Sequence, residues 1–469
     1  MLFDSWIFFG FFALVLVLHI PRNLAWQNWM LLIASNVFYA YWDWRFLGLL
    51  WISIVVDYTV TRLMSSATDS GRRRLLITSL VIQLGILGFF KYFNFFADSM
   101  ADLLLRLGLE ASAPTLAIIL PVGISFYTFH TMGYTIDVYR REIEPTKDFP
   151  MFALFVSYFP QLVAGPIVRA RNMFPQFSRP RRATRDQVAS GILLFLIGLV
   201  RKVAIADVAA PFVDEVFSEL DVATGLAVLA SVLLFALQIY GDFAGYTDMA
   251  RGVSRILGVE LIENFNHPYF ARNLALFWRK WHISLSTWLR DYLYIPLGGS
   301  RHGNRQTYRN LLITMLLGGL WHGAAWTFVV WGAIHGVALA ANRWWHDRRG
   351  APKTLSVPVR LSSWALTMFV VLFAWVFFRS PDLGAAMEAL TAIATFRGGL
   401  EREAMKLMAL FLGLLALTLF IDVPQALRQN HVVFLRWPAP ARGLVYAVLV
   451  LVVLLAPSAG EIPFIYFQF

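Results

Sequence analysis

The feature that most constrains this chain is a series of apolar blocks, each 17 to 30 residues long, recurring along nearly its whole length. They lie at residues 3–20, 24–42, 46–62, 75–97, 115–138, 188–217, 225–250, 360–379, 405–424 and 441–457. A helix that crosses a bilayer needs roughly 20 mainly apolar residues, so each block reads as one span. Two further helices between 310 and 342 bring the expected total to about twelve crossings. The expected fold class is all-α: a polytopic integral membrane protein with about 11–12 transmembrane helices plus re-entrant or interfacial helices. Composition agrees, since 58% of the 469 residues are hydrophobic, only 15% are charged, and the mean hydropathy is +0.61. Soluble domains carry about a quarter charged residues, which excludes most soluble readings. The first block lacks a positive start and a small-residue cleavage site, so it reads as a retained span.

Arginine and lysine in short loops set the orientation of such a chain. Basic segments occur at Arg72-Arg73-Arg74, at Arg140, Arg141 and Lys147, from Arg169 to Arg185, and from Arg343 to Lys353. Alternate loops are acidic or neutral, with Asp98, Asp102 and Glu110 in one and Glu219 and Asp221 in another. The two sets interleave if both termini lie outside the cytoplasm. The net charge of +11 is then the mark of cytoplasmic loops and not of nucleic-acid binding. Residues 151–167, with Pro160, Gly165-Pro166 and basic loops on both sides, read as a segment that leaves and returns to the same face. Such backbone survives at membrane depth only when buried in protein or lining a wet cavity. Residues 260–309, punctuated by Pro268, Pro296 and Gly298-Gly299, have the same character. No internal repeat is visible, so residues 1–469 read as a single membrane domain.

Ionisable residues within apolar blocks are costly and are functional candidates by default. The chain has no cysteine, which removes disulfides, thiolate metal sites and a cysteine acyl-enzyme. It also lacks a Walker-type loop, a Rossmann fingerprint, a strict Gly-x-Ser-x-Gly elbow and an Asp-x-Asp pair. Histidine remains as the side chain that takes and gives a proton near neutral pH. His19, His267, His302, His346 and His431 sit at span ends or in polar loops, where interfacial or solvated roles are expected. His130, beside Thr128 and Thr131, reads more readily as a hydrogen-bonded packing residue than as a chemical one.

Three histidines are left. His322 lies in Gly318-Gly319-Leu320-Trp321-His322-Gly323, where glycines permit close approach and tryptophan makes an apolar wall. A general base and a hydrogen bond tying two helices fit that spacing equally well. His335 follows 13 residues later. On an unbroken helix that is ~20 Å of rise and well out of phase, so the chain is expected to break near Gly323, with His335 in a supporting position. His282 sits in the basic, aromatic and hydroxyl-bearing segment Trp278–Trp288. Arg279 and Lys280 there suit an anionic donor, and a helix lying in the membrane interface is the alternative. Asp242 and Asp248 are expected to pair with one of the arginines there. The three histidines have no carboxylate at ligand spacing, so no metal is expected.

Several ordered motifs now carry a resemblance. They are Pro121–Phe129, Phe159–Ile167, the Gln238–Asp248 segment, Trp278–Trp288 running on into Arg290–Gly299, Trp321-His322-Gly323, and the closing Phe464–Phe469. With them, over nearly its whole length, the chain resembles the membrane-bound O-acyltransferase family and, within it, the bacterial branch of alginate O-acetyltransferases. The resemblance implies a ring of tilted helices around a thin centre, with a channel joining the two faces. It implies that His322 is the catalytic residue, and that His282 stands where related acyltransferases carry Asn, Asp or His. Residues 260–345 become the catalytic core region, holding His282, His322 and His335. Trp321, Ser284 and Asp242 are expected in support. Gly241 precedes Asp242 where the branch commonly has a bulkier residue.

The function expected is transfer of an acetyl group from a cytoplasmic thioester, acetyl-CoA, for O-acetylation of an alginate-like exported or cell-envelope polysaccharide. His322 acts as base or transient acyl carrier. His282, with Ser284 or Ser286, stabilises the oxyanion or positions the thioester. Arg279, Lys280 and Arg290 attract the phosphate-bearing donor; no bound cofactor is expected. By resemblance, a periplasmic partner with a serine-hydrolase-like fold meets the polymer, and the protein lies in a bacterial inner membrane. Two other classes stay open at this point: a transporter or channel, and a non-catalytic scaffold of a polysaccharide secretion complex.

Overall fold

A computed structural model describes residues 1–21, 23–109, 116–350, 356–457 and 464–465. Among them the regular structure is helical throughout. Six helical segments are long and apolar enough to cross a bilayer: Leu24–Met64, Asp69–Arg106, Arg185–Ser218, Gly225–Ile256, Val357–Arg379 and Arg402–Arg428. Trp6–His19, Leu383–Ala394 and Ala439–Leu455 are shorter apolar helices. The protein is thus a multi-pass membrane protein of the all-α class. Its chain divides into two compact units, Met1–Val188 with Val253–Ile262, and Ala189–Gly252 with Glu263–Phe469.

In the first unit the expected boundary between residues 42 and 46 is met. Asp43 is extended (φ −160°, ψ 110°) and its carboxylate accepts the Arg45 amide hydrogen at 2.9 Å, so Leu24–Asp43 and Leu47–Met64 are separate helices. The expected span 115–138 is shorter, running from Ile124 to Tyr139. Gly123 starts it with a left-handed backbone (φ 76°), and a Cβ there would lie 2.7 Å from the Leu162 carbonyl oxygen. Residues 151–167 fall into the short helices Phe149–Ser157 and Phe159–Leu162, as their prolines foretell. His130 accepts the Val168 amide hydrogen at 3.2 Å, a packing role.

Two expectations fail here. Arg72 is not a loop residue: it is buried in the helix Asp69–Leu87 and donates to the carbonyls of Met64 (2.8 Å) and Val138 (2.5 Å). It closes the ends of two helices whose last carbonyls have no intrahelical partner. His19 is also buried, donating from Nε2 to the Leu257 carbonyl at 3.0 Å.

The second unit is built on Gly225–Ile256, which lies against Arg185–Leu199 and the widened turn Val200–Ala206. Glycine makes that approach possible. A Cβ on Gly198 would stand 2.5 Å from the Gly245 carbonyl oxygen, and one on Gly241 would stand 2.8 Å from that of Arg201. Gly198→Val is therefore expected to destabilise the protein by about 1–3 kcal/mol through overpacking. Gly413→Ala is the control, since its added Cβ meets nothing within 4 Å. Thermal unfolding in detergent checks both.

The close approach brings buried charges together. Arg201 pairs with Asp248 and, at 2.5 Å, with Asp422; Arg251 joins Asp248 at 3.1 Å. Lys202 lies 2.7 Å from Asp207 and 3.0 Å from Asp242. Asp242 and Asp248 thus pair with Lys202 and Arg201 across neighbouring helices, and Asp248 also with Arg251 one turn along its own helix, and not with the arginines of the His282 segment as expected. His267 and His431, expected in interfacial or solvated positions, are buried. Their rings stack at 5.3 Å, and His267 Nδ1 lies 3.6 Å from Asp422. The helix Leu383–Ala394 has no counterpart among the expected spans; the Asp382 side chain starts it by accepting from Ala385 N at 2.9 Å.

Candidate active site

All the sequence-derived site residues belong to the second unit. Residues 263–290 fold as short pieces instead of a span, as Pro268 and the polar residues predict. Asn273 caps the helix Leu274–Lys280, and His282 begins the helix Ile283–Leu289. Two backbone bonds tie the start of this stretch to its middle: Asn266 N donates to Lys280 O at 2.9 Å, and Ile283 N to Asn264 O at 2.8 Å. Between them His282 takes a left-handed backbone (φ 42°, ψ 56°), unusual outside glycine. Its side chain is fully buried. Asn264 Oδ1 lies 3.2 Å from His282 Nδ1 and also accepts from Ser284 N (3.1 Å) and Ser284 Oγ (2.9 Å).

His322 is the last residue of the helix Asn304–His322. The next helix, Trp326–Arg349, returns along it, so the expected break falls at 323–325. Close approach of the two helices again depends on glycine, because a Cβ on Gly319 would lie 2.2 Å from the Phe328 carbonyl oxygen. A Cβ on Gly323 would fall within the Phe328 ring contact at 2.0 Å. The reversal puts His322 and His335, out of phase on a straight helix, on either side of one indole. Trp331 stands 5.0 Å from the His322 ring and 4.8 Å from that of His335.

Trp321 links the preceding pair in the same way, 5.7 Å from His282 and 5.1 Å from His322 between ring centres. The order His282, Trp321, His322, Trp331, His335 is thus a continuous run of ring contacts inside an apolar wall that includes Phe378. His335 accepts from Trp278 Nε1 at its Nδ1 (3.3 Å) and stacks on Phe277. It braces the wall and does not meet His282 or His322 directly among these contacts. Asp242 acts at one remove: it accepts from Ile465 N at 2.6 Å, and the adjacent Phe243 ring meets His282 edge-on at 4.6 Å. Of the closing motif, residues 464–465 dock at this point; residues 466–469 lie outside the described residues.

Both serine hydroxyls have other duties. Ser284 donates to Asn264 and Ser286 to the Trp281 carbonyl at 3.1 Å. The polar function of this stretch that sequence reasoning missed is Asn264. It lies 18 residues from His282, with no periodicity linking the two.

A cavity of about 600 Å³ adjoins this region. Arg279, Arg290 and Arg343 line it, with Ser286, Trp278 and Met315 on its walls and Asp347 as its one carboxylate. Met315 stands about two turns before His322 on the same helix. Arg290 is held by Asp291 (2.6 Å) and Arg343 by Asp347 (2.9 Å), whereas Arg279 has no ion pair among the described residues. Of the three residues expected at a donor site, Arg279 and Arg290 line the same cavity. Lys280 is not among the lining residues; it is half-buried, and burial, with the charge of Arg272, lowers its ammonium pKa. Among the described residues no group of three His, Asp or Glu side chains has the arrangement of a metal site.

Comparison with known proteins sets these features in context. The model of the membrane-bound O-acyltransferase family matches residues 36–380. A "Probable alginate O-acetylase AlgI" of Azotobacter vinelandii is 45% identical over 400 residues, covering 84% of this chain and 78% of that protein. Its namesake in Pseudomonas aeruginosa is 42% identical, covering 94% of this chain and 84% of that protein. A "Peptidoglycan O-acetyltransferase" of Helicobacter pylori is 37% identical, covering 83% and 78% respectively.

Proposed function

This chain belongs to the membrane-bound O-acyltransferase family, and from that premise we propose that it passes an acetyl group from a cytoplasmic thioester to the hydroxyl of an exported or cell-envelope polysaccharide. That it is an acyltransferase follows from the family itself. Its relatives are named for O-acetylation of alginate and of peptidoglycan, which supports a polysaccharide acceptor. The single observation that carries the reading further is the run of ring contacts linking the buried His282 and His322 through Trp321, beside a cavity lined by three guanidinium groups.

In the reaction, His322 takes the hydroxyl proton as the oxygen attacks the thioester carbonyl. The C–O bond forms, the C–S bond breaks, and the leaving thiolate receives a proton. Alternatively His322 carries the acyl group between two such steps. With no cysteine in the chain, neither route passes through a protein thiol. The apolar wall excludes water, which limits loss of the acyl group by hydrolysis. The cavity is the donor site in this reading, and acetyl-CoA the donor: its phosphates match Arg279, Arg290 and Arg343, while its acyl end points toward Met315 and His322.

The basic loops support a cytoplasmic side for the cavity in a bacterial inner membrane, with both termini periplasmic. A periplasmic partner with a serine-hydrolase-like fold then completes delivery to the polymer. The test is acetyl-CoA consumption by the purified chain in nanodiscs, with and without polysaccharide; a rate equal to that of empty nanodiscs defeats the reading. Arg279→Gln with Arg343→Gln is expected to raise the KM for acetyl-CoA about tenfold, from the loss of charge-assisted hydrogen bonds. Its kcat should stay close to wild type, and the difference should shrink in high salt.

A further inference from the structure

We infer that Asn264 is a positioning residue for His282, whose amide oxygen holds the imidazole proton on Nδ1 and so leaves the basic lone pair on Nε2. The inference rests on the reading that His282 takes part in the reaction. Its geometry stands on three donors converging on one atom. Ser284 N is a backbone N–H and can only donate, so the atom it meets at 3.1 Å is the amide oxygen of Asn264 and not its nitrogen. An amide oxygen can only accept. His282 Nδ1, 3.2 Å from the same atom, must therefore be the protonated nitrogen.

The backbone makes this assignment durable. Ile283 N bonds to Asn264 O, and Asn266 N to Lys280 O, so the two residues are clamped on either side of the contact. Asn264 is itself 1% exposed, which leaves its side chain little room to turn. Phe243 lies edge-on to the imidazole and Trp321 closes another side, so the ring cannot flip to exchange its nitrogens without displacing them.

The chemical consequence is a role for His282 other than the oxyanion stabiliser expected from the sequence. A neutral imidazole held with its proton on Nδ1 has no N–H at Nε2 to offer a developing oxyanion. It has a lone pair there, and it can take a proton. The proton shed by the attacking hydroxyl, passed on from His322, gives at Nε2 an imidazolium whose Nδ1–H remains on Asn264, and its release to the thiolate as the C–S bond breaks restores the starting state. His335 is set the opposite way: Trp278 Nε1 donates into its Nδ1 at 3.3 Å, so the neutral ring carries its proton on Nε2. Two buried histidines of one site are thus fixed in opposite tautomers by neutral partners.

Asn264→Asp keeps the accepting oxygen. It forfeits no donated bond, because Asn264 Nδ2 makes none among the described residues. A carboxylate at Nδ1 favours the imidazolium. Protonation then occurs at higher pH, and the acid limb of kcat for acetyl-CoA consumption is expected to move up by about one pH unit. Asn264→Leu removes the acceptor and is expected to lower kcat roughly 10- to 100-fold with KM unchanged, as when an orienting partner of a histidine is lost. A readout independent of activity is the 15N spectrum of histidine-labelled protein in nanodiscs, with the His282 signals assigned by their loss in His282→Ala. Wild type is expected in the Nδ1–H form, and Asn264→Leu is expected to lose that preference.

Wild-type kcat in Asn264→Leu, an unshifted acid limb in Asn264→Asp, or an unchanged His282 spectrum in Asn264→Leu would each overturn the inference. Full activity in His282→Ala defeats instead the reading that His282 takes part, and leaves the tautomer to be judged by the spectrum. Should Asn264→Leu fail to fold, the Asn264→Asp profile and the wild-type spectrum still decide.

Discussion

His322→Ala is expected to lower acetyl-CoA consumption by the purified protein roughly 10²- to 10⁴-fold, the span associated with loss of a positioned proton carrier. The effect should fall on kcat, because the donor cavity is lined by residues from 273 to 347 that do not include His322. The fold should tolerate the change. The two helices meeting at the reversal are held by backbone approach at Gly319 and Gly332, and the wall around residue 322 keeps Trp321, Trp331 and Phe378. A second arm separates chemistry from packing: His322→Gln preserves much of the volume and should be as inactive as His322→Ala. If either variant retains more than about a tenth of wild-type kcat, His322 is not the proton or acyl carrier.

The largest stability effect is expected at Arg201. Arg201→Leu leaves Asp248 and Asp422 facing a buried site without their shared guanidinium, and it removes the donor that Gln425 Oε1 accepts from at 3.2 Å. Tyr240 still donates to Asp422 at 2.7 Å, and Arg251 still reaches Asp248, but neither neutralises both carboxylates. Breaking a buried pair by removing one partner costs about 3–5 kcal/mol, and at membrane depth the stranded carboxylates have no water to turn to. The triple change Arg201→Leu, Asp248→Asn, Asp422→Asn should recover a substantial part of that loss, since it leaves no uncompensated charge. Thermal unfolding monitored by size exclusion measures both; a midpoint for Arg201→Leu within roughly 1 °C of wild type would falsify the account.

What the sequence disclosed and what it withheld divide along a physical line. Spans were legible because crossing a bilayer imposes a length and an apolar composition that no other local rule mimics. The break after His322 was legible from phase alone: 13 residues put His335 on the wrong side of a straight helix, and the chain does reverse at 323–325. Pairings between segments were not legible. Asp242 meets Lys202, and Asp248 meets Arg201, because glycines at 198, 241 and 245 draw two helices into backbone contact. The sequence shows those glycines but not which helix they face. Asn264 escaped notice for the same reason, as its tie to His282 depends on how two short segments lie side by side. Arg72 sits in a basic run that reads as a loop, and only the folded chain reveals the carbonyls it closes.

The left-handed backbone of residue 282 has a bearing on what can stand there. For a residue with a β-carbon this conformation is unfavourable, and among non-glycine types Asn, Asp and His are several-fold enriched in such regions. Those are the three residues that the family resemblance places at this position. A branched or bulky side chain would add about 1–3 kcal/mol of backbone strain before any question of reactivity arose. The main chain thus acts as a filter ahead of the chemistry: it admits a short list of small polar or imidazole side chains, each able to hydrogen-bond locally.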